Sequence, residues 1–113
     1  MRIKQDVLGK AGVIRLSGQL MGGPDADQVR EAIAALVAQG TVQIVIDLND
    51  FSWVNSTGLG VLISSHILVA NQGGALKLMR ISKRIESIFT VTRLNTVFQV
   101  FDDEASALSS CAG

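Results

Sequence analysis

Residues 41–60 have the sequence TVQIVIDLNDFSWVNSTGLG. Residues 41–48 are apolar at nearly every position and rich in β-branched side chains, which is typical of a strand covered on both faces. Residues 55–60 are mostly small or suited to capping a helix, and residues 61–72 then have helical spacing. This stretch therefore predicts a central strand that leads through a short turn into a helix.

Two strands and a helix are predicted before this stretch. Residues 2–7 and 13–17 alternate between apolar and polar side chains, and residues 9–12 separate them, so we expect a hairpin. Pro24 then suits the first position of a helix that Gly40 ends. The apolar stripe of this helix consists of Val29, Ala32, Ile33, Leu36 and Val37.

Strands and helices continue to alternate after the central stretch. Residues 75–80 are predicted to form a strand, and Ser82 is suited to cap a short helix after it. Residues 97–101 have the pattern of a last strand, and Asp102 or Asp103 is predicted to cap a final helix. This order predicts an α/β domain with a mixed sheet.

Composition excludes several classes of function. The 113 residues carry ten basic and ten acidic side chains, without a long cationic cluster, so we expect neither nucleic acid nor an anionic membrane surface as a partner. No apolar run approaches the roughly 20 residues of a membrane span, so no membrane insertion is expected. A single cysteine, Cys111, gives neither an internal disulfide nor a metal site. We expect a cytoplasmic protein without a cofactor.

The helix predicted after residue 55 has two faces with different residue types. The core stripe consists of Leu59, Leu62, Ile63, His66, Val69 and Ala70. The opposite face carries Thr57, Val61, Ser64, Leu68 and Asn71. A solvated face does not require apolar residues, so this second face is predicted to dock another protein. A phosphate on Thr57 would add about −1.5 to −2 charges beside it.

A purely structural interpretation of the same turn stays open. Asn55 or Ser56 has the residue type of an N-cap, and Gly58 and Gly60 would allow close packing of the helix on the sheet. Nucleotide binding is not predicted. No Lys follows Gly60, and residues 58–60 lack the third glycine of a dinucleotide-binding turn.

The only histidine, His66, lies on the predicted core stripe. We expect it to be packed and hydrogen-bonded rather than a metal ligand or a base. Activation of Ser56, Ser64 or Ser65 would need a helical spacing that brings the imidazole to the hydroxyl, and none has it. The sequence therefore predicts that the protein is not an enzyme. Trp53 is expected to cover the core rather than to anchor a partner.

Residues 47–60 resemble the signature segment of STAS domains of the anti-sigma-factor-antagonist family. That segment has Asp-Leu, a short apolar turn, and then Asp-Ser-Ser/Thr-Gly-Leu-Gly. The similarity extends to residues 16–20, 88–89 and 101–105, in matching order and spacing. The resemblance implies one STAS-like domain over residues 1–113. Its mixed sheet is expected to have about four to five strands, with about four helices packed mainly on one side.

Thr57 matches the residue that is phosphorylated in that family, and Ser56 is the second candidate. The kinase there is also the anti-sigma factor, and a PP2C-type phosphatase restores the binding form. The resemblance thus implies a partner-switching protein that regulates transcription through protein binding. Together with the helix face, it predicts partner contacts from Met21, Asn55, Ser56, Thr57, Gly58, Gly60, Val61, Ser64 and Leu68.

The chain departs from the family pattern at two places. Asn55 replaces the usual Asp before the Ser-Ser/Thr pair, so no carboxylate is available to orient the hydroxyl or oppose a phosphate. Gln19 and Met21 replace the two acidic residues of a Gly-Glu-Leu-Asp stretch that often flanks the site. These losses favour an alternative, in which the chain is a non-switching STAS subunit of a larger assembly such as a lipid-transport ABC complex.

Overall fold

The computed structural model describes residues 1–112. These residues form five β-strands, four α-helices and one short 3-10 helix, at Leu94–Thr96. The strands are β1 (Arg2–Leu8), β2 (Ala11–Leu20), β3 (Gln43–Val54), β4 (Ala75–Met79) and β5 (Val100–Phe101). The α-helices are α1 (Pro24–Ala38), α2 (Ser56–Asn71), α3 (Lys83–Val91) and α4 (Glu104–Ala112). Within the described residues, no helix combines the length and the apolar character needed to cross a bilayer.

The strands form one sheet in the order β1-β2-β3-β4-β5. β1 pairs antiparallel with β2, as expected for a hairpin, and the other neighbouring strands are parallel. β3 is covered on both faces, because Ile44 and Ile46 belong to the larger core of the domain and Val45 to a smaller one. The predicted α/β fold with a mixed sheet is confirmed.

Three helices cover one face of the sheet, and the fourth covers part of the other. α1, α2 and α3 bury Ile33, Leu62 and Phe89 in the larger core. Complete burial of such a side chain contributes about 1.5–3 kcal/mol. α4 packs on the opposite face through Ala107 and Cys111. The prediction that the helices lie mainly on one side is therefore confirmed.

Two of the helices begin at caps that the sequence predicts. The Ser82 hydroxyl accepts a hydrogen bond from the backbone N–H of Ile85 at 3.3 Å, ahead of α3. Asp103 accepts one from the N–H of Ser106 at 2.7 Å, ahead of α4. This backbone hydrogen bond lowers the pKa of the Asp103 carboxyl below its ordinary value. Side chains that satisfy free N–H groups in this way define where each helix starts.

Two strands differ from their predicted lengths. β3 continues to Val54 beyond the apolar run, because residues 50–54 pair with the end of β2. β5 has only two residues, so the strand predicted over 97–101 is wrong in its first half. There Phe98 turns into the larger core and packs against Phe89, with ring centroids 5.9 Å apart. Burial of this aromatic ring takes precedence over strand pairing.

Trp53 does not cover the core, and that prediction is wrong. The side chain is 37% exposed, and the guanidinium carbon of Arg84 lies 5.3 Å from the centre of its rings. The pairing of β3 with β2 shifts register immediately before Trp53, which interrupts the alternation of side chains between the two faces. Phe51 and Val54 are buried on either side, and Trp53 is turned outward.

A buried carboxylate, Asp47, joins three strands on the face where α4 packs. It is 4% exposed and accepts hydrogen bonds from Arg80 Nε at 3.1 Å, from the N–H of Asn49 at 3.0 Å, and from Arg15 Nη1 at 2.9 Å. Arg15 also donates to Glu104 of α4 at 2.7 Å. Burial by itself would raise the pKa of Asp47, but these hydrogen bonds outweigh it and hold the pKa below its ordinary value.

Asp47→Asn is expected to lower the free energy of unfolding by about 2–3 kcal/mol at pH 7, because two arginines lose their shared carboxylate. The folded-state pKa of Asp47 lies below the unfolded value, so its contribution is present at neutral pH. The contribution is lost as the pH falls below about 4, and the difference between wild type and variant should shrink there. Urea unfolding between pH 7 and pH 3 measures this difference.

Asp50→Asn is the matched control for Asp47→Asn. Asp50 lies on the same strand but is exposed, and its carboxylate accepts a hydrogen bond from the Asn49 side chain at 3.2 Å. An exposed substitution of this kind should change stability by less than about 0.5 kcal/mol. A destabilisation by Asp47→Asn that does not change with pH would contradict the role of the ionised carboxylate.

Candidate partner-binding site

Asn55 connects the end of β2 to the start of α2. Its backbone is extended, with φ −95°, and its Oδ1 accepts a hydrogen bond from the N–H of Gly58 at 2.9 Å. Its Nδ2 donates to the carbonyl oxygen of Met21 at 3.0 Å, and its backbone N–H donates to the carbonyl oxygen of Leu20 at 3.3 Å. A carboxylate could accept the first of these bonds but could not make the second. The amide at this position therefore has a structural role of its own.

Gly58 lets the first turn of α2 lie directly against β2. A Cβ at Gly58 would stand 2.6 Å from Val54 Cγ2 and still closer to the carbonyl oxygen of Leu20. Real Cβ atoms essentially never come within 3.0 Å of another group in this way. Gly58 is buried, so the predicted contribution of its surface to partner binding is wrong. The alternative interpretation, that Gly58 allows the helix to pack closely on the sheet, agrees with these distances.

Thr57 is the second residue of α2, and its side chain is exposed. It lies beside the loop between β2 and α1, since a Cβ on Gly22 would stand 2.9 Å from Thr57 Cγ2. Gly22 has φ +100°, a backbone conformation that side chains disfavour, so a glycine both forms this turn and leaves room for Thr57. Ser56 is exposed as well. Both hydroxyl groups are therefore accessible at the N-terminal end of the helix.

The exposed face of α2 continues from Thr57 along the helix. Gly60, Ser64 and Leu68 are all exposed, with Leu68 at 42%. Nothing lies within 4 Å of a Cβ built on Gly60, so this glycine faces open space. Met21, in the neighbouring loop, is 45% exposed. These predicted partner-binding residues share one side of the molecule, and none of them is charged.

Three residues border this face that the sequence analysis did not select. A groove of about 300 Å³ between α1 and α2 is lined partly by Arg30 and Ala34 of α1 and by Leu68 of α2. Ile67, next to Leu68, is 52% exposed. The exposed apolar character of Ile67 was visible in the sequence only once the orientation of α2 was known. The sequence analysis identified only the apolar stripe of α1, although other positions of this helix form one wall of the groove.

Val61 does not belong to this exposed face, and the prediction that it does is wrong. It is 1% exposed and lies in the larger core. α2 packs against α1 as well as against the sheet, so its buried arc is wide and is rotated by about 70° from the predicted stripe. Ser65 is buried and Ala70 is exposed for the same reason. Helical spacing alone cannot show on which side a neighbouring helix will pack.

His66 is partly buried and contacts an aromatic ring. Its imidazole meets Phe98 edge to face, with ring centroids 5.2 Å apart. The expected packing is confirmed. The expected hydrogen bond is not seen at Nδ1, which is buried and has no hydrogen-bond partner among residues 1–112. This nitrogen is therefore not bonded to any of the neighbouring serine hydroxyls.

Comparisons with known proteins agree on the family. A family model described as the STAS domain matches residues 2–107. An anti-sigma-B factor antagonist of Bacillus subtilis (strain 168) is 37% identical over 75 residues, which cover 66% of this chain and 68% of that protein.

Solved structures share the fold at low sequence identity. A putative anti-sigma factor antagonist from Thermotoga maritima has a TM-score of 0.88 at 16% identity, over 98% of this chain and 95% of that one. The phosphorylated form of the Bacillus cell fate determinant SpoIIAA has a TM-score of 0.76 at 21% identity, over 96% of this chain and 98% of that one. With the sheet order, the capped start of α2 and the family match over nearly the whole chain, this protein belongs to the STAS domain family.

Proposed function

We propose that the chain is an anti-sigma factor antagonist whose binding is controlled by phosphorylation of Thr57. In its unmodified form it binds an anti-sigma factor that is also a serine/threonine kinase, and phosphorylation releases it. A PP2C-type phosphatase then restores the binding form. The observation that carries this proposal is the exposed Thr57 at the start of α2, followed along the helix by exposed residues that carry no charge. The 37% identical relative is named an anti-sigma-B factor antagonist, which supports it.

The proposed contact surface is formed by Met21, Thr57, Gly60, Ser64 and Leu68. All five are exposed and none is charged, so they suit a contact from which water is excluded. A phosphate at its edge would bring about −1.5 to −2 charges, and none of these five residues carries a cation to neutralise them. Modification would therefore favour the dissociated form.

Thr57 is a better candidate than Ser56 because of its direction on the helix. Thr57 and Ser64 are seven residues apart, so their side chains differ by only about 20° around the axis. Ser56 differs from Ser64 by about 80°, which places it at the margin of the proposed surface, on the side of Gly60. Solved structures of SpoIIAA in its unphosphorylated and phosphorylated forms share the fold of this chain, which supports a modification that the fold can accommodate.

Asn55 is compatible with this proposal although it lacks a carboxylate. In protein kinases the residue that accepts the proton of the substrate hydroxyl is an Asp of the kinase itself, so the substrate need not provide a base. The cap at Gly58 and the hydrogen bond to Met21 keep the loop and the start of α2 together. The Thr57 hydroxyl is therefore presented on a rigid turn.

Incubation with the cognate anti-sigma kinase and Mg-ATP tests the proposal. We expect the mass of one phosphoryl group to be added, with loss of the complex, and PP2C treatment should reverse both. Thr57→Ala should prevent the addition, and Ser56→Ala, the matched control, should retain it. A mass increase that survives Thr57→Ala would refute the assignment. A stable complex with no mass increase would favour the non-switching STAS subunit instead.

A further inference from the structure

β1 is an open edge of the sheet. It has seven residues, of which six are exposed and Ile3 is partly buried. Its pairing with β2 runs without a register shift from Arg2 to Leu8, and it contains no proline. An edge strand of this kind presents a row of free N–H and C=O groups to any other strand. The opposite edge of the sheet, β5, has only two residues.

Three exposed charged residues, Arg2, Lys4 and Asp6, follow one another on one face of this edge. Lys4 and Asp6 lie on the same face of β1, because they are two residues apart and pair with Arg15 and Val13 of β2. Asp6 lies 3.9 Å from Arg15, a solvent-exposed contact that leaves its carboxylate accessible. Lys4 forms no ion pair among residues 1–112. Lys4 and Asp6 are thus an exposed cation and an exposed anion side by side, and Arg2 is a second exposed cation on the same face.

An antiparallel pair of two β1 strands has one register that suits these charges. Outward-facing backbone groups occur at every second residue of β1. The ladder can therefore form only in registers in which the numbers of the two facing residues differ by an even number. Centring the two-fold axis on Lys4 would set the two Lys4 side chains opposite each other, although Arg2 would then face Asp6, and centring it on Asp6 would set two carboxylates opposite each other. Either register leaves residues of β1 unpaired. Centring it on Gln5 pairs all seven residues and sets each Lys4 opposite an Asp6 of the other strand.

We infer that β1 pairs with β1 of a second copy of this chain, antiparallel about Gln5. The two sheets then become continuous, with two Lys4–Asp6 pairs on one face. On the other face Ile3 lies opposite Val7, which is half exposed in the monomer. The interface is isologous, as in the common two-fold dimers. It uses none of the residues of the α2 surface, so it stands independently of the proposed function.

The dimer is expected to be weak. A contact limited to one edge strand falls below the about 1,200 Å² of stable interfaces, so the dissociation constant should be near or above about 100 µM. Sedimentation equilibrium of the wild-type chain up to about 1 mM should show reversible self-association. A wild-type chain that stays monomeric over this range would overturn the inference.

Charge reversal identifies the interface. Lys4→Glu and Asp6→Lys each replace two attractive pairs by two repulsive ones, and each should weaken self-association by about 10-fold or more. The double swap Lys4→Glu/Asp6→Lys restores the opposite-charge pairs and should recover most of the affinity of self-association. An equimolar mixture of the two single variants should form a heterodimer more strongly than either variant pairs with itself.

Lys10→Glu is the matched control, because it reverses an exposed cation in the turn just beyond β1. It should leave self-association unchanged. The three residues substituted in these tests are exposed in the monomer, so circular dichroism should report an unchanged fold. Single reversals that leave the dimer intact, or a double swap that fails to restore it, would show that another surface is used.

Discussion

Thr57→Glu is expected to weaken binding of the anti-sigma factor by about 30- to 1,000-fold, if the face of α2 is the contact surface. A carboxylate at this position would be buried in the complex without a partner, because the neighbouring exposed residues Met21, Gly60 and Ser64 carry no charge. Burial of an unpaired charge of this kind costs about 2–4 kcal/mol even after the surroundings relax. Isothermal titration calorimetry with the purified partner measures the loss.

The same substitution should not destabilise the free protein. Thr57 lies in the first turn of α2, where a negative charge interacts favourably with the helix dipole, by about 0.3–1 kcal/mol. Thermal unfolding should therefore show equal or slightly higher stability. A loss of binding with retained stability identifies a surface effect, whereas a parallel loss of both would indicate misfolding.

Ser56→Glu is the matched control for Thr57→Glu. It adds the same charge one residue earlier, where the side chain is exposed but directed about 80° away from Ser64. We expect it to retain most of the affinity. Wild-type affinity in Thr57→Glu, or an equal loss in both variants, would exclude the α2 face as the docking surface and favour a different region of the domain.

The local signals in the sequence predict much of the fold. Ser82 and Asp103 are caps because their residue types satisfy free N–H groups at a helix start, which requires no knowledge of the rest of the chain. β3 was recognisable because a strand covered on both faces has to be apolar at consecutive positions. Asn55 was also predictable as a cap, since it precedes the periodic pattern of α2.

The parts that could not be predicted depend on neighbours distant in sequence. Val61 is buried because α1 packs beside α2, and the periodicity of α2 contains no information about that contact. The hydrogen bond from the Asn55 amide could not be predicted, because its partner, the carbonyl oxygen of Met21, is 34 residues away. Trp53 is exposed because of a register shift against β2, which no pattern in β3 indicates.

Gly58→Ala is expected to lower the free energy of unfolding by about 3 kcal/mol or more. The added carbon would overlap the carbonyl oxygen of Leu20, and a backbone atom cannot be moved aside by a change of rotamer. Relief would require the first turn of α2 to move away from β2, which would break the hydrogen bond from Asn55 to Met21.

Gly60→Ala, two residues further along α2, is expected to have the opposite sign. A Cβ at Gly60 has no atom within 4 Å, so alanine only reduces the backbone freedom of the unfolded chain and should stabilise the protein by about 0.5–1 kcal/mol. Urea denaturation of both variants measures the contrast, and equal effects would contradict the close packing of Gly58. Because the new methyl group at Gly60 projects from the proposed contact surface, a more stable variant that binds the anti-sigma factor less tightly would separate the role of this face in binding from any role in folding.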